Sequence, residues 1–148
     1  MSLTKARYLL DLNALIALAD PDHECHQAIQ KWFISSGKED WGVCPLTEAG
    51  FVRVTTNPAY RSASRTIAQA VAILADFAVH PGYRYWAISD HWAVLTAPFY
   101  KRLLGHQQVT DAYLLGLAVK EESVLITFDK GIKYLAGTEY SRNLLVLE

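Results

Sequence analysis

Cysteine is scarce: two residues, Cys25 and Cys44, in a chain of 148. They form neither a disulfide framework nor a metal-ligand spacing, which argues against a stapled secreted fold and against a zinc module. Each sits among apolar residues, so both are expected to be buried free thiols in a reducing compartment. No apolar run is long enough to cross a bilayer, and the longest apolar helical pattern, residues 67–79, is interrupted by Gln69 and Asp76. A signal-peptide pattern, an internal repeat and a low-complexity tract are all missing. These absences together lead us to expect a cytoplasmic chain without membrane contact. Neither sign of charge dominates either: 14 Lys and Arg stand against 15 Asp and Glu, a formal net charge of −1. A global basic field is excluded, so any anionic partner must be held by a local basic patch or by bound cations.

What is present is an ordinary core-forming composition, 51% hydrophobic and 20% charged. It predicts one domain over residues 1–148, with a core large enough to need no staples. The stretch Tyr8-Leu9-Leu10-Asp11-Leu12-Asn13 organises the rest. A buried strand ends there on a carboxylate and turns at once into a helix. Asp20-Pro21-Asp22 reads as a stop followed by a new helix running to about Ser35, with Gly37 ending it. His23, Cys25 and His26 near its start have no matching ligand cluster elsewhere, so a solvated helix start is the preferred reading.

Residues 41–44 predict a second strand, followed by a helix over 46–55 with Thr47 as cap and Glu48 in its first turn. A further helix is expected over 64–77, capped by Ser62 or Ser64. The aromatic residues 83–88 predict a third strand or an extended edge. Asp90 is a candidate cap for a helical stretch over 91–104 that Pro98 should break. The aromatic cluster Trp86, Trp92, Phe99 and Tyr100 tracks apolar faces, which favours packing over a stacking platform. Thr110 is expected to cap a strongly apolar helix with Asp111 in its first turn. Residues 123–129 predict a strand ending on Asp129, and residues 144–147 a last strand. Strands alternate with helices throughout, which predicts parallel βαβ units in a three-layer α/β/α sandwich with a central, mostly parallel sheet.

Four acids fall where this topology gathers chemistry, outside the carboxyl ends of parallel strands. Asp11 and Asp129 end strands; Glu48 and Asp111 open helices. Each has an ordinary structural role open to it: Asp11 as a cap, Glu48 and Asp111 as partners of the helix dipole. Converging, they would repel one another unless cations sat among them. Oxygen ligands without His or Cys point to Mg²⁺ or Mn²⁺. Such an ion suits phosphodiester cleavage, because it can acidify a water and neutralise the scissile phosphate without a catalytic His. Asn13, Thr110 and Thr127 are the candidates for orienting the ligands.

The ordered set Tyr-Leu-Leu-Asp11-Leu-Asn13, Thr47-Glu48-Ala-Gly-Phe-Val-Arg53-Val-Thr-Thr-Asn57-Pro58, Val-Thr110-Asp111-Ala-Tyr-Leu-Leu and Leu-Ile-Thr127-Phe-Asp129 resembles a PIN domain. More narrowly, it resembles the VapC-type ribonuclease toxins of bacterial toxin–antitoxin systems, over essentially the whole chain. The resemblance implies a PIN-like fold and a Mg²⁺- or Mn²⁺-dependent endoribonuclease. It implies catalytic and metal-binding roles for Asp11, Glu48, Asp111 and Asp129, with Asp11 and Asp111 the most dependable ligands. It also implies an RNA substrate, a homodimer, and a cognate antitoxin that lays a C-terminal segment over the groove. The region 91–104 is longer and more aromatic than a minimal member needs.

RNA would need local cations. Arg53 and Lys130 follow the acidic motifs and are the first candidates, ahead of Arg61, Arg65 and Lys133; a solvated surface charge is the plain alternative for each. Three other readings compete. A phosphotransfer domain with Asp11 as nucleophile fits poorly, since Asn13 stands where such a site wants a second Asp. A catalytically inactive RNA- or protein-binding module is opposed by the presence of all four acids. A PIN-fold nuclease of RNA maturation, working without an antitoxin, is left open by the sequence.

Overall fold

A computed structural model describes residues 7–60 and 65–148. Its centre is a four-stranded parallel sheet, ordered β2-β1-β3-β4. The strands are β1 (Tyr8–Leu10), β2 (Trp41–Gly42), β3 (Val124–Thr127) and β4 (Leu144–Val146). Tyr8 pairs with Trp41 and Val124, Leu10 with Ile126, and Thr127 with Val146, so β1 and β3 end side by side.

The pleat sends neighbouring residues to opposite faces. Leu9, Cys44 and Leu125 join one apolar cluster, while Leu10, Val43 and Ile126 join the other. A strand buried on both faces reads as a continuous apolar run, which is why β1 and β3 stand out in the sequence. One face carries α1 (Leu12–Ala19), α2 (His26–Trp32) and α3 (Pro45–Thr55), supplying Leu15, Ile29 and Phe51. The same cluster takes Ala70 from α4 (Ile67–Ala78). The other face carries α5 (Trp92–Thr96), α6 (Val109–Lys120) and α7 (Ile132–Ala136), with Leu95, Leu114, Leu117 and Leu135 in its core. Fully burying a side chain of that size contributes about 1.5–3 kcal/mol. The expected three-layer arrangement is the one observed.

Helix α6 is buried at every position from Ala112 to Ala118. A helix apolar all round must be covered on all sides. The sheet covers one side and α5 another, and α5 comes so close that a Cβ on Gly116 would stand 2.2 Å from the carbonyl oxygen of Leu95. The long aromatic region 91–104 is therefore the cover of α6. Pro98 breaks it as expected: α5 ends at Thr96, and a 3₁₀ run, Ala97–Arg102, follows.

Several local expectations shift. Residues 83–88 take the edge form, not a full strand: Tyr83 bridges Trp41, Arg84 N–H bonds to Trp41 O and Trp86 N–H to Val43 O. Asp20 caps a turn, accepting from Asp22 N–H at 3.0 Å, and α2 starts later, at His26. It continues through a π-helical turn, Phe33–Gly37. Pro45 opens α3, which moves the cap position to Cys44 and puts Thr47, fully buried, inside the first turn. Thr66 caps α4 through a capping box with Gln69; the proposed caps Ser62 and Ser64 lie outside the described residues. His91 takes the cap position of α5, while Asp90 is spent on Lys120. A 3₁₀ turn, His106–Gln108, leads into α6, so Gln108 and not Thr110 holds the cap position. Cys44 is buried as expected, but Cys25 is only partly so, and both are free thiols. No helix among the described residues is long and apolar enough to cross a membrane.

Candidate active site

The ends of β1 and β3 build the site. Asp11 follows β1, is 6% exposed, and caps α1 by accepting from Leu12 N–H at 2.7 Å through Oδ1. Its backbone N–H bonds to Ile126 O at 2.9 Å, which extends the strand pairing to the carboxylate itself. Its Oδ2 accepts from Thr127 Oγ1 at 2.8 Å. Thr127 in turn accepts from Asn13 Nδ2 at 3.1 Å and from Asp129 N–H at 3.0 Å. Asn13 Oδ1 accepts from Phe128 N–H at 3.0 Å. One hydroxyl proton thus has one clear acceptor, and every donor around it is aimed consistently. The cap reading of Asp11 holds, and the same carboxylate also anchors a largely buried polar network. A carboxylate has about four acceptor positions; Oδ2 also accepts a longer contact from Asn13 Nδ2 at 3.5 Å, so the room for a further partner is at Oδ1.

Burial pushes the Asp11 carboxyl above its ordinary value; the bonds from Thr127 and Leu12 pull the other way, and Asp129 adds repulsion. Asp111, in the first turn of α6, is pushed up to about 7 by burial first, then by the charges of Asp11 and Asp129. The sheet thus brings Asp11, Asp111 and Asp129 into one electrostatic neighbourhood. Asp129 stands exposed in the turn after β3, where its Oδ1 accepts from Gly131 N–H at 2.8 Å. The charge of Glu48 acts on Tyr83, whose phenol is raised to about 12, mainly by burial. Among the described residues, no three His, Cys, Asp or Glu side chains are drawn together as a ready-made metal cage.

The model of the PIN domain matches residues 8–137. The chain belongs to the PIN-domain family. Within it, Ribonuclease VapC38 of Mycobacterium tuberculosis is 42% identical over 128 residues, covering 86% of this chain and 89% of the relative. Ribonuclease VapC39 of the same species is 37% identical over 124 residues, covering 84% and 89%. Identity at that level over nearly the full length places the chain with the VapC ribonucleases. The fold is shared with VapBC2 from Rickettsia felis, whose crystal structure holds a DNA fragment from the promoter; the TM-score is 0.63 at 14% identity, covering 95% of this chain and 98% of that one.

Around the acids of this PIN domain, the other candidates divide. Lys130 is exposed beside Asp129. Arg53 is exposed in the last turn of α3, whose first turn carries Glu48, so the two are not brought together. Five residues of helix separate them by about 7.5 Å of rise and well over a third of a turn. Thr110 is exposed in the first turn of α6. Arg65 lies just before α4, Lys133 is exposed on α7, and Arg61 lies outside the described residues. Sequence reasoning missed the amides of Leu12 and Phe128, which complete the network. They act through the main chain, so no residue type signals them. The donors at the site are carboxylates, a hydroxyl and a side-chain amide, without thiolate or imidazole. This set fits a hard divalent cation such as Mg²⁺ or Mn²⁺.

Proposed function

We propose that this chain is a divalent-metal-dependent endoribonuclease acting as the toxin of a toxin–antitoxin pair, built as one PIN domain over residues 1–148. The observation that carries the reading is the buried Asp11–Thr127–Asn13 network with Asp111 beside it, its carboxyl raised to about 7 by burial and by neighbouring acids. Carboxylates crowded to that degree favour a cation as their partner.

Asp11 and Asp111 would hold the ion, Mg²⁺ or Mn²⁺, with Asp129 and Glu48 completing the negative rim. When bound, that ion supplies an acidified water for in-line attack and neutralises charge on the scissile phosphate. The chain's own part is positional. Leu12 N–H and Thr127 Oγ1 hold the Asp11 carboxylate in one orientation. Asn13 ties Thr127 to the backbone of Phe128, so the ends of β1 and β3 are held together. Lys130, next to Asp129, serves as a phosphate contact; Arg53 serves a more distant segment of the RNA. Homodimerisation, a cytoplasmic location and a small cognate antitoxin belong to the same proposal, and similarity to the VapC ribonucleases is what supports them.

The test is cleavage of a single-stranded RNA by the metal-free protein, with Mg²⁺ or Mn²⁺ added back, alongside Asp11→Asn. Metal-dependent cleavage that the variant loses supports the reading. Cleavage without growth arrest on expression favours a maturation nuclease, and no cleavage by folded wild type favours a binding module.

A further inference from the structure

Four of the chain's aromatic residues, Trp86, Trp92, Phe99 and Tyr100, separate into two classes. Trp86 and Phe99 are core. Trp92 and Tyr100 are at the surface, 38% and 49% exposed, and stack on each other with centroids 6.2 Å apart and planes 20° from parallel. Among the described residues, every other aromatic contact is edge-on, with interplanar angles from 61° to 90°. Edge-on pairs close a core, whereas a near-parallel pair at the surface leaves flat faces that another flat ring can extend.

The pair is also held in place. Trp92 Nε1 donates to Val109 O at 3.0 Å, and Tyr100 OH donates to Ala93 O at 3.0 Å. Val109 opens α6, whose first turn carries Asp111. The stack is thereby tied to the helix end that carries a site acid. Charge adds an independent argument: residues 91–110 contain no Asp or Glu but include the exposed Lys101, His91 and His106, while Arg102 is partly buried and donates to Leu135 O and Ala136 O. In a chain of net charge −1, this is an acid-free stretch beside an acid-rich rim. An anionic polymer lying near the acids meets its least repulsive neighbourhood here.

We propose that the Trp92–Tyr100 stack is a nucleobase subsite for single-stranded RNA, placing a base flanking the cleaved bond. Unstacked bases in loops and single strands find aromatic rings of this kind, and the contact is tolerant of sequence because every base has a flat face. The subsite positions substrate and leaves bond breaking to the acids. It rests on the ribonuclease reading for its role in cleavage, but base stacking can be measured without cleavage.

Trp92 offers its own probe. Trp32, Trp41 and Trp86 are 6%, 0% and 3% exposed, so acrylamide quenching of fluorescence reports chiefly Trp92. The protein is Asp11→Asn, metal-free, with a mixed-sequence single-stranded RNA dodecamer, and binding is followed separately by the anisotropy of labelled RNA. Bound RNA should reduce the quenching constant at least about twofold, and Trp92→Phe, which keeps a flat ring, should remove the quenchable component while retaining binding. In cleavage assays, Trp92→Ala should raise KM about tenfold with kcat nearly unchanged, and Trp92→Phe should stay close to wild type. RNA that binds without protecting Trp92, or an unchanged KM in Trp92→Ala, overturns the subsite and leaves the nuclease reading standing. Protection that appears with rising protein concentration alone assigns the stack to a protein contact and also overturns it. If wild type cleaves no RNA, the ribonuclease reading fails, while the quenching result still decides whether the stack holds a base.

Discussion

Thr127 Oγ1 donates to Asp11 Oδ2 across 2.8 Å of space and 116 residues of chain. That bond joins the ends of the two central strands and fixes the orientation of the buried carboxylate. Thr127→Val keeps the shape and removes the hydroxyl, leaving Asn13 Nδ2 and Asp129 N–H without this acceptor. The loss should cost about 1–3 kcal/mol in equilibrium denaturation, since the buried Asp11 carboxylate loses its hydroxyl donor and keeps only the longer contact from Asn13 Nδ2 at that oxygen. Thr127→Ser should recover most of it. A valine variant as stable as wild type would contradict the network's role.

Asp111 gives a pH signature. Its carboxyl ionises near 3.8 in the unfolded chain but near 7 in the fold, raised by burial and by Asp11 and Asp129. A group raised on folding stabilises in its protonated form; that contribution is complete below about 3.8 and is lost as pH rises through about 7. Metal-free wild type should therefore lose more melting temperature between pH 5 and pH 8 than Asp111→Asn does. The difference should be about 2–4 °C, corresponding to about 1 kcal/mol for a chain of this size; Asp111 is partly solvated, which keeps it small. Equal slopes in the two proteins would contradict the crowding of these acids.

Much of this was legible in the sequence because the signals were local. The apolar pairs Leu9-Leu10 and Leu125-Ile126 mark strands buried on both faces, and the acids at their ends follow from parallel topology. Asp11 and Asp129 follow neighbouring strand ends for that reason, and Asp111 reaches their charges from the first turn of α6. The charge of Glu48 is felt at Tyr83, whereas those of Asp11 and Asp129 are felt at Asp111. Thr110 failed as a cap because the chain was already turning through the 3₁₀ segment His106–Gln108, a choice made upstream of the cap residue. The stacked geometry of Trp92 and Tyr100 had no local signal; it depends on how Pro98 redirects the chain between them.

Gly116 tests the cover over α6. Alanine is the better helix former by about 1 kcal/mol. At this position, however, its Cβ would stand 2.2 Å from Leu95 O, so α5 must move off. Overpacking against backbone should win, and Gly116→Ala should lose about 1–3 kcal/mol by denaturant titration. A stabilised variant would mean that α5 yields freely.

Glu48 should behave differently from the aspartates. Its charge is felt at Tyr83 and is not among the causes that raise Asp11 or Asp111. Glu48→Gln should therefore lower turnover while changing divalent-ion affinity by less than about threefold, against the tenfold or greater losses typical of ligand-shell changes. A loss of ion affinity as large as that of Asp11→Asn would place Glu48 among the primary ligands.

The proposed ribonuclease site requires Asp11 and Asp111 to bind a divalent ion together. Calorimetric titration of Mn²⁺ into metal-free wild type, Asp11→Asn and Asp111→Asn tests it most directly. Saturable binding by wild type, weakened about tenfold or more in each variant, is the predicted result. Isotherms that superimpose across all three proteins would contradict it.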